Sequence, residues 1–164
     1  FIQGLDAGIN RTVWGPDGQL YAGGIGSGGN WRHEGREWYA LHRFNYNAKT
    51  TFEMLEVKAK VGGMEIELTE PIAKNEEVEI ENFEIEQYYY EATEDYGGPK
   101  KGVEILKITA VKLSDDRKKI FLATNGIKDR KVVYIRVKKP FLSESDQKLW
   151  STETWYTMTK KPVK

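Results

Sequence analysis

The segment Thr12-Val-Trp-Gly-Pro-Asp-Gly-Gln-Leu-Tyr-Ala-Gly-Gly24 commits the start of this chain to a β-hairpin. Pro16 fixes φ for the first central position of a tight turn, Asp17 suits the second, and Gly18 takes a positive φ on the way out. Val13 and Trp14 before the turn, and Leu20 and Tyr21 after it, are β-branched, aromatic or apolar, as a half-buried strand prefers. A two-stranded hairpin is marginal in water by itself, so something must cover it. A hairpin of this kind is what one blade of a β-propeller contributes, and a propeller closes only with several blades. One such signal is present, so the expectation is the tail of a larger protein.

Further along, period-2 alternation takes over. Phe52–Lys60 alternates over part of its length, and Met64-Glu-Ile-Glu-Leu-Thr-Glu70 places Met64, Ile66 and Leu68 on one face. Asn82–Tyr88, Ile105–Leu113, Lys119–Ala123 and Val132–Val137 are further strand candidates. Gly62-Gly63, Ser114-Asp115-Asp116 and Asn125-Gly126 supply turns between them. No stretch holds a helical period with credible caps, so little helix is expected. The fold class predicted is all-β: an antiparallel immunoglobulin-like β-sandwich preceded by a Gly-rich propeller-type hairpin.

Composition divides the chain in the same way. Ten of the sixteen glycines lie in the first 35 residues, while all eighteen lysines lie at Lys49 or beyond. This predicts a Gly-rich hairpin and loop over 1–47 and the sandwich over 48–164, the alternative being one domain with a loop-rich first third. With 39% hydrophobic and 30% charged residues the chain is globular rather than disordered. A formal net charge of zero removes the footprint of a general nucleic-acid binder, and no apolar run is long enough to span a bilayer. Cysteine is absent, which excludes disulfides, thiolate metal sites and Cys-x-x-Cys-His haem attachment within these residues. His33 and His42 are too few and too isolated to suggest a metal centre.

Four pieces carry a family likeness: Gly4–Gly18, Gly23-Gly-Ile-Gly26 with Gly29-Asn-Trp31, Thr93-Glu-Asp-Tyr-Gly-Gly-Pro-Lys100, and Leu149-Trp-Ser-Thr-Glu-Thr-Trp-Tyr156. In these the chain resembles the C-terminal part of bacterial periplasmic proteins related to pyrroloquinoline-quinone-dependent (PQQ-dependent) glucose and sorbosone dehydrogenases. Those proteins often join a propeller to a c-type cytochrome domain. The pieces Glu65–Pro71, Asn82–Ile85, Val111–Leu122 and Val132–Val137 resemble a bacterial immunoglobulin-like module, usually a spacer or docking domain. The resemblance implies a periplasmic or cell-surface location and, as partners, the propeller and cytochrome domains of a parent protein. It implies PQQ, Ca²⁺ and haem c in that parent and no cofactor in this chain, which lacks the propeller bulk, the quinone-site base and the haem motif. The function expected is a non-catalytic structural or docking region.

Two alternatives stay open. Asn10 and Arg11 precede the first strand, where Arg11 would pair with a quinone carboxylate through its fork or, structurally, with Asp6 or Asp17. The second is a carbohydrate-binding module using exposed aromatics, with Asn30, Trp31, Trp38, Tyr39 and Tyr96 as ligand-binding candidates. The wider aromatic set adds Tyr88, Tyr89, Tyr90, Trp150, Trp155 and Tyr156. Three consecutive tyrosines on a strand must point to both faces, so at least one is expected to be buried. The Gly23–Trp31 run lacks the Lys-Ser/Thr of a phosphate loop, Glu91, Glu94 and Asp95 are expected to be solvated, and Asp115 and Asp116 suit a turn without metal.

Overall fold

A computed structural model describes residues 4–26, 37–94 and 97–163. These residues form eleven strands and a short 3₁₀ turn, all strand pairings being antiparallel. The chain divides into two compact units, Phe1–Lys49 and Thr50–Lys164.

In the first unit, β1 (Gly8–Trp14), β2 (Leu20–Ile25) and β3 (Tyr39–Phe44) form one sheet in that order. The β1–β2 turn follows its sequence signal. Gly18 N–H donates to the Gly15 carbonyl at 3.0 Å and Gly15 N–H to that of Gln19 at 2.8 Å, with Gly18 at φ +73°. Pro16 and Asp17 occupy the centre, and Asp17 accepts from the Gln19 N–H at 3.2 Å and the Tyr21 hydroxyl at 2.8 Å. The third strand is a departure from the two-stranded expectation. Tyr39-Ala-Leu-His-Arg-Phe44 has apolar or aromatic residues on both of its faces, so alternation did not mark it out.

The second unit holds two four-stranded sheets. One is ordered β4 (Met54–Lys60), β5 (Gly63–Leu68), β9 (Lys119–Thr124), β8 (Ile108–Leu113). The other runs β11 (Glu153–Met158), β10 (Lys131–Val137), β6 (Phe83–Tyr90), β7 (Lys100–Leu106). Met64, Ile66, Leu68, Ile120 and Leu122 from the first sheet share one apolar core with Phe83, Ile85, Val133, Ile135 and Met158 from the second. Their alternate residues face outwards, the arrangement of two layers around a core. At the β4–β5 turn a Cβ on Gly63 would lie 2.1 Å from the Leu122 carbonyl, which excludes any larger residue without moving β9.

Ile105–Leu113, expected as a single strand, is two strands in different sheets. Leu106 pairs with Ile85, whereas Ile108 pairs with Thr124. Leu106 and Ile108 both enter the common core while Lys107 between them is exposed, so the alternation runs unbroken through the crossover and conceals it. The loop after β5 is fastened by Arg117, which stands at φ +55° in the β8–β9 turn. Its guanidinium donates to the carbonyls of Ile72, Ala73 and Glu76 at 2.7–2.8 Å.

Candidate functional site

Asn10 is the extra residue of a bulge in β1, since Ile9 faces Gly24 and Arg11 faces Gly23. Arg11 is exposed and donates to the Asn10 carbonyl at 3.0 Å. The two acids weighed as its structural partners are engaged elsewhere: Asp6 lies 3.6 Å from His42, and Asp17 binds Tyr21 and lies 3.9 Å from Arg43. Trp38 and Tyr39 are exposed, Tyr39 at 82%. Tyr39 shares one face of the sheet with Leu41 and Arg43 of β3, Ile25 of β2 and Val13 of β1. Asn30, Trp31 and Tyr96 lie outside the described residues, as do His33 and Asp95.

The outer face of the β11-β10-β6-β7 sheet gathers a second set of aromatics. Tyr88 is buried while Tyr89 and Tyr90 are exposed. Tyr88 and Tyr90 share the outer face and Tyr89 points to the other, so Tyr88 is buried beneath its neighbours on that face and not by strand alternation. Tyr90 packs edge-on to Tyr88 with ring centres 5.3 Å apart, and Trp155 of β11 leans on Tyr134 of β10 at the same separation. Lys100 joins the two pairs, its Nζ 4.3 Å from the Tyr88 ring centre and 5.4 Å from that of Tyr134. Glu86 holds this ammonium at 3.0 Å. Tyr134 donates to Glu153 at 2.7 Å, and Glu153 lies 3.9 Å from Arg136. The result is a diagonal strip of four rings from β11 to β6, bordered by two opposite-charge pairs.

Removal from water raises the Tyr134 phenol to about 12, its bond to Glu153 acting in the same direction. Tyr88 is raised as well, chiefly by burial and then by its hydrogen bond to Tyr90. Both phenols therefore stay neutral and keep their hydrogen bonds at ordinary pH. Sequence reading named Tyr88, Tyr90 and Trp155 only as members of a wide aromatic set and missed Tyr134 and Lys100. Alternation across β10 carried the one signal for Tyr134, an aromatic at an outward position.

On the opposite side of β6, Gln87 is fully buried and satisfied. Its amide N–H₂ donates to Glu104 and to the Gly126 carbonyl, both at 2.9 Å, and its carbonyl accepts from Lys128 N–H at 3.0 Å. Lys128 Nζ closes the network on Glu104 at 2.7 Å. The Lys128 ammonium first, and Gln87 second, hold the Glu104 carboxyl below its ordinary value. A cleft of about 240 Å³ nearby is lined by Lys60, Gly62, Gly63, Thr124, Asn125, Gly126, Ile127, Met158, Lys161 and Pro162. It brings no acid–base pair or nucleophile–base pair together. Among the described residues no group of three His, Asp or Glu side chains is placed to hold a metal, and no helix is long and apolar enough to cross a membrane.

Comparison of the chain with protein-family models, with curated proteins and with solved structures finds no match.

Proposed function

We propose that the chain is a non-catalytic structural and docking region of a larger periplasmic or cell-surface protein of the sugar-dehydrogenase-like kind. The observation that carries the docking part is the make-up of the β1–β3 unit. Its buried apolar residues among those described are Ala7 and Ala22, whereas Val13, Trp14, Trp38, Tyr39 and Leu41 are exposed. Covering a large apolar side chain contributes about 1.5–3 kcal/mol, and a three-stranded sheet needs a covered face to be stable. Such a face is suited to a neighbouring layer, a propeller blade in the parent being the one the sequence suggests. The identity of the parent rests on the resemblance of Gly4–Gly18, Gly23–Gly26 with Gly29–Trp31, Thr93–Lys100 and Leu149–Tyr156.

The second unit reads as an immunoglobulin-like sandwich. Supporting this is its strand order, in which β4-β5-β9-β8 corresponds to A-B-E-D and β11-β10-β6-β7 to G-F-C-C′. In this reading the sandwich is a spacer and the β1–β3 sheet is the element that meets the rest of the protein.

Limited trypsin digestion of the whole chain tests the proposal, because Arg11, Arg43 and Lys49 offer cleavage sites in the first unit. A resistant fragment beginning at Thr50, with the first 49 residues digested, is expected; survival of the intact chain contradicts it. The same preparation, given PQQ, Ca²⁺ and an artificial electron acceptor, is expected to oxidise no glucose, and turnover would overturn the non-catalytic reading.

A further inference from the structure

Asn125-Gly126 is the one Asn-Gly pair among the seven asparagines of this chain, and every other asparagine precedes a residue with a side chain. An Asn-Gly pair is chemically weak. The amide nitrogen of the second residue can attack the asparagine side-chain carbonyl, and glycine has no Cβ to obstruct the ring that forms. Folding ordinarily suppresses this attack by holding the backbone N–H in a hydrogen bond. Both residues are exposed in the loop between β9 and β10, with Gly126 at φ +89°. Among the described residues, neither the Gly126 N–H nor the Asn125 side chain makes a hydrogen bond. We infer that Asn125 is a site of spontaneous deamidation and isomerisation in the folded chain. Asp17-Gly18, which has the same ring closure open to it, shows the protected arrangement. There Gly18 N–H donates to the Gly15 carbonyl at 3.0 Å, and the Asp17 carboxylate accepts from Tyr21 at 2.8 Å and from Gln19 at 3.2 Å. This inference concerns the second unit and stands or falls separately from the docking reading.

The reaction needs water alone. The Gly126 nitrogen gives its proton to solvent and bonds to Asn125 Cγ, while the bond from Cγ to the side-chain nitrogen breaks and ammonia leaves with a proton from water. Water then opens the cyclic imide at either carbonyl. Opening at Cγ leaves aspartate on the ordinary backbone. Opening at the α-carbonyl leaves isoaspartate, whose main chain runs through the side chain and is longer by one methylene. The position of the pair decides which product matters. The Gly126 carbonyl accepts from the buried Gln87 amide at 2.9 Å. Lys128, two residues on, donates its N–H to Gln87 at 3.0 Å and holds Glu104 at 2.7 Å. Isoaspartate lengthens the chain next to Gly126, which displaces that carbonyl and strands the Gln87 amide in the interior. Aspartate keeps the chain path and only adds a carboxylate beside the cleft that Lys60 and Lys161 also line. The change runs one way, so the Gln87 network carries a slow, built-in loss.

Ageing of the folded full chain at mildly alkaline pH tests this, with the tryptic peptide spanning 120–128 followed by mass spectrometry. Digestion in heavy-oxygen water separates change before digestion from change during it. A gain of one mass unit at Asn125 is expected, with isoaspartate the larger product, at a rate within tenfold of that in a synthetic peptide of the same sequence. Asn125→Gln, which cannot close the five-membered ring, should stay unmodified over the same period. The urea midpoint of the aged chain should fall as isoaspartate accumulates, while freshly prepared Asn125→Asp should match the unaged chain. A folded-state rate more than tenfold below that of the peptide overturns the inference, because the loop would then be protected. Isoaspartate arising at Asp17 ahead of Asn125 overturns it as well. An aged chain rich in isoaspartate with an unchanged urea midpoint overturns the link to Gln87.

Discussion

Lys100 lies over the ring of Tyr88, its Nζ 4.3 Å from the ring centre, and the Glu86 carboxylate 3.0 Å away keeps it there. The contact joins edge strand β7 to β6 on the outer face, where the backbone ladder is disturbed between Gln87 and Tyr89. A buried phenol is thus roofed by a cation that is itself neutralised, and the strip is a fixed surface rather than a set of free side chains.

Alkaline pH should loosen this face. Tyr134 has its folded-state value raised to about 12 from an ordinary 10.0, so it holds its proton more tightly when folded. Its contribution to stability is full below about pH 10 and is lost as pH rises towards about 12. Tyr88 shifts in the same direction. Near-ultraviolet titration of the nine tyrosines should show a late-ionising class that shrinks in Tyr134→Phe. Ionisation of all nine in a single step near the ordinary value, while the chain is still folded, would refute the burial argument.

The acid side depends on Glu104. Lys128 and Gln87 lower its folded-state value from an ordinary 4.5, so its contribution is present above about pH 4.5 and is lost as pH falls through the lowered value. The urea midpoint should drop on acidification, and Glu104→Gln should make that drop shallower. An identical acid response in the two proteins would show that the Glu104 contacts do not matter to folding.

Gln87 itself should be costly to replace. Gln87→Met keeps the volume but strands the Gly126 carbonyl and the Lys128 N–H, and an unsatisfied buried group costs about 1–3 kcal/mol. A loss of about 2 kcal/mol is expected from urea unfolding of the full chain. A change of less than about 0.5 kcal/mol, the ordinary range for a surface substitution, would mean that water replaces the network at no cost.

Arg117 separates charge from geometry. Arg117→Lys keeps the cation but cannot reach the Ile72, Ala73 and Glu76 carbonyls with one planar fork, so a loss of about 1–3 kcal/mol is expected. Equal stability of the two proteins would show that any cation at this turn suffices to hold the loop.

Local chemistry made part of this fold legible. Pro16, Asp17 and Gly18 specify one turn, and Met64, Ile66 and Leu68 alternate on one buried face as their spacing requires. The change of sheet at Lys107 was not legible, because Leu106 and Ile108 enter the same core from different layers. Edge strands β3 and β11 were missed as strands. In β11 burial alternates cleanly, but Trp155 stands at an exposed position and Thr154 at an inward one, so the residue types do not display the alternation. The strip was illegible for a different reason. Tyr134 meets Trp155, and Lys100 meets both Tyr88 and Tyr134, through cross-strand register that sequence spacing does not reveal.

The central claim is the proposed docking role of the β1–β3 sheet, on which Val13, Trp14, Tyr39 and Leu41 are exposed. Amide hydrogen exchange on the whole chain tests it most directly, comparing residues 11–22 with β5, β6, β9 and β10. The account predicts that the hairpin amides exchange at least a hundredfold faster than the central strands of the second unit, opening without global unfolding. Protection of residues 11–22 equal to that of β6 and β10 would contradict it and make the sheet a self-sufficient part of the fold.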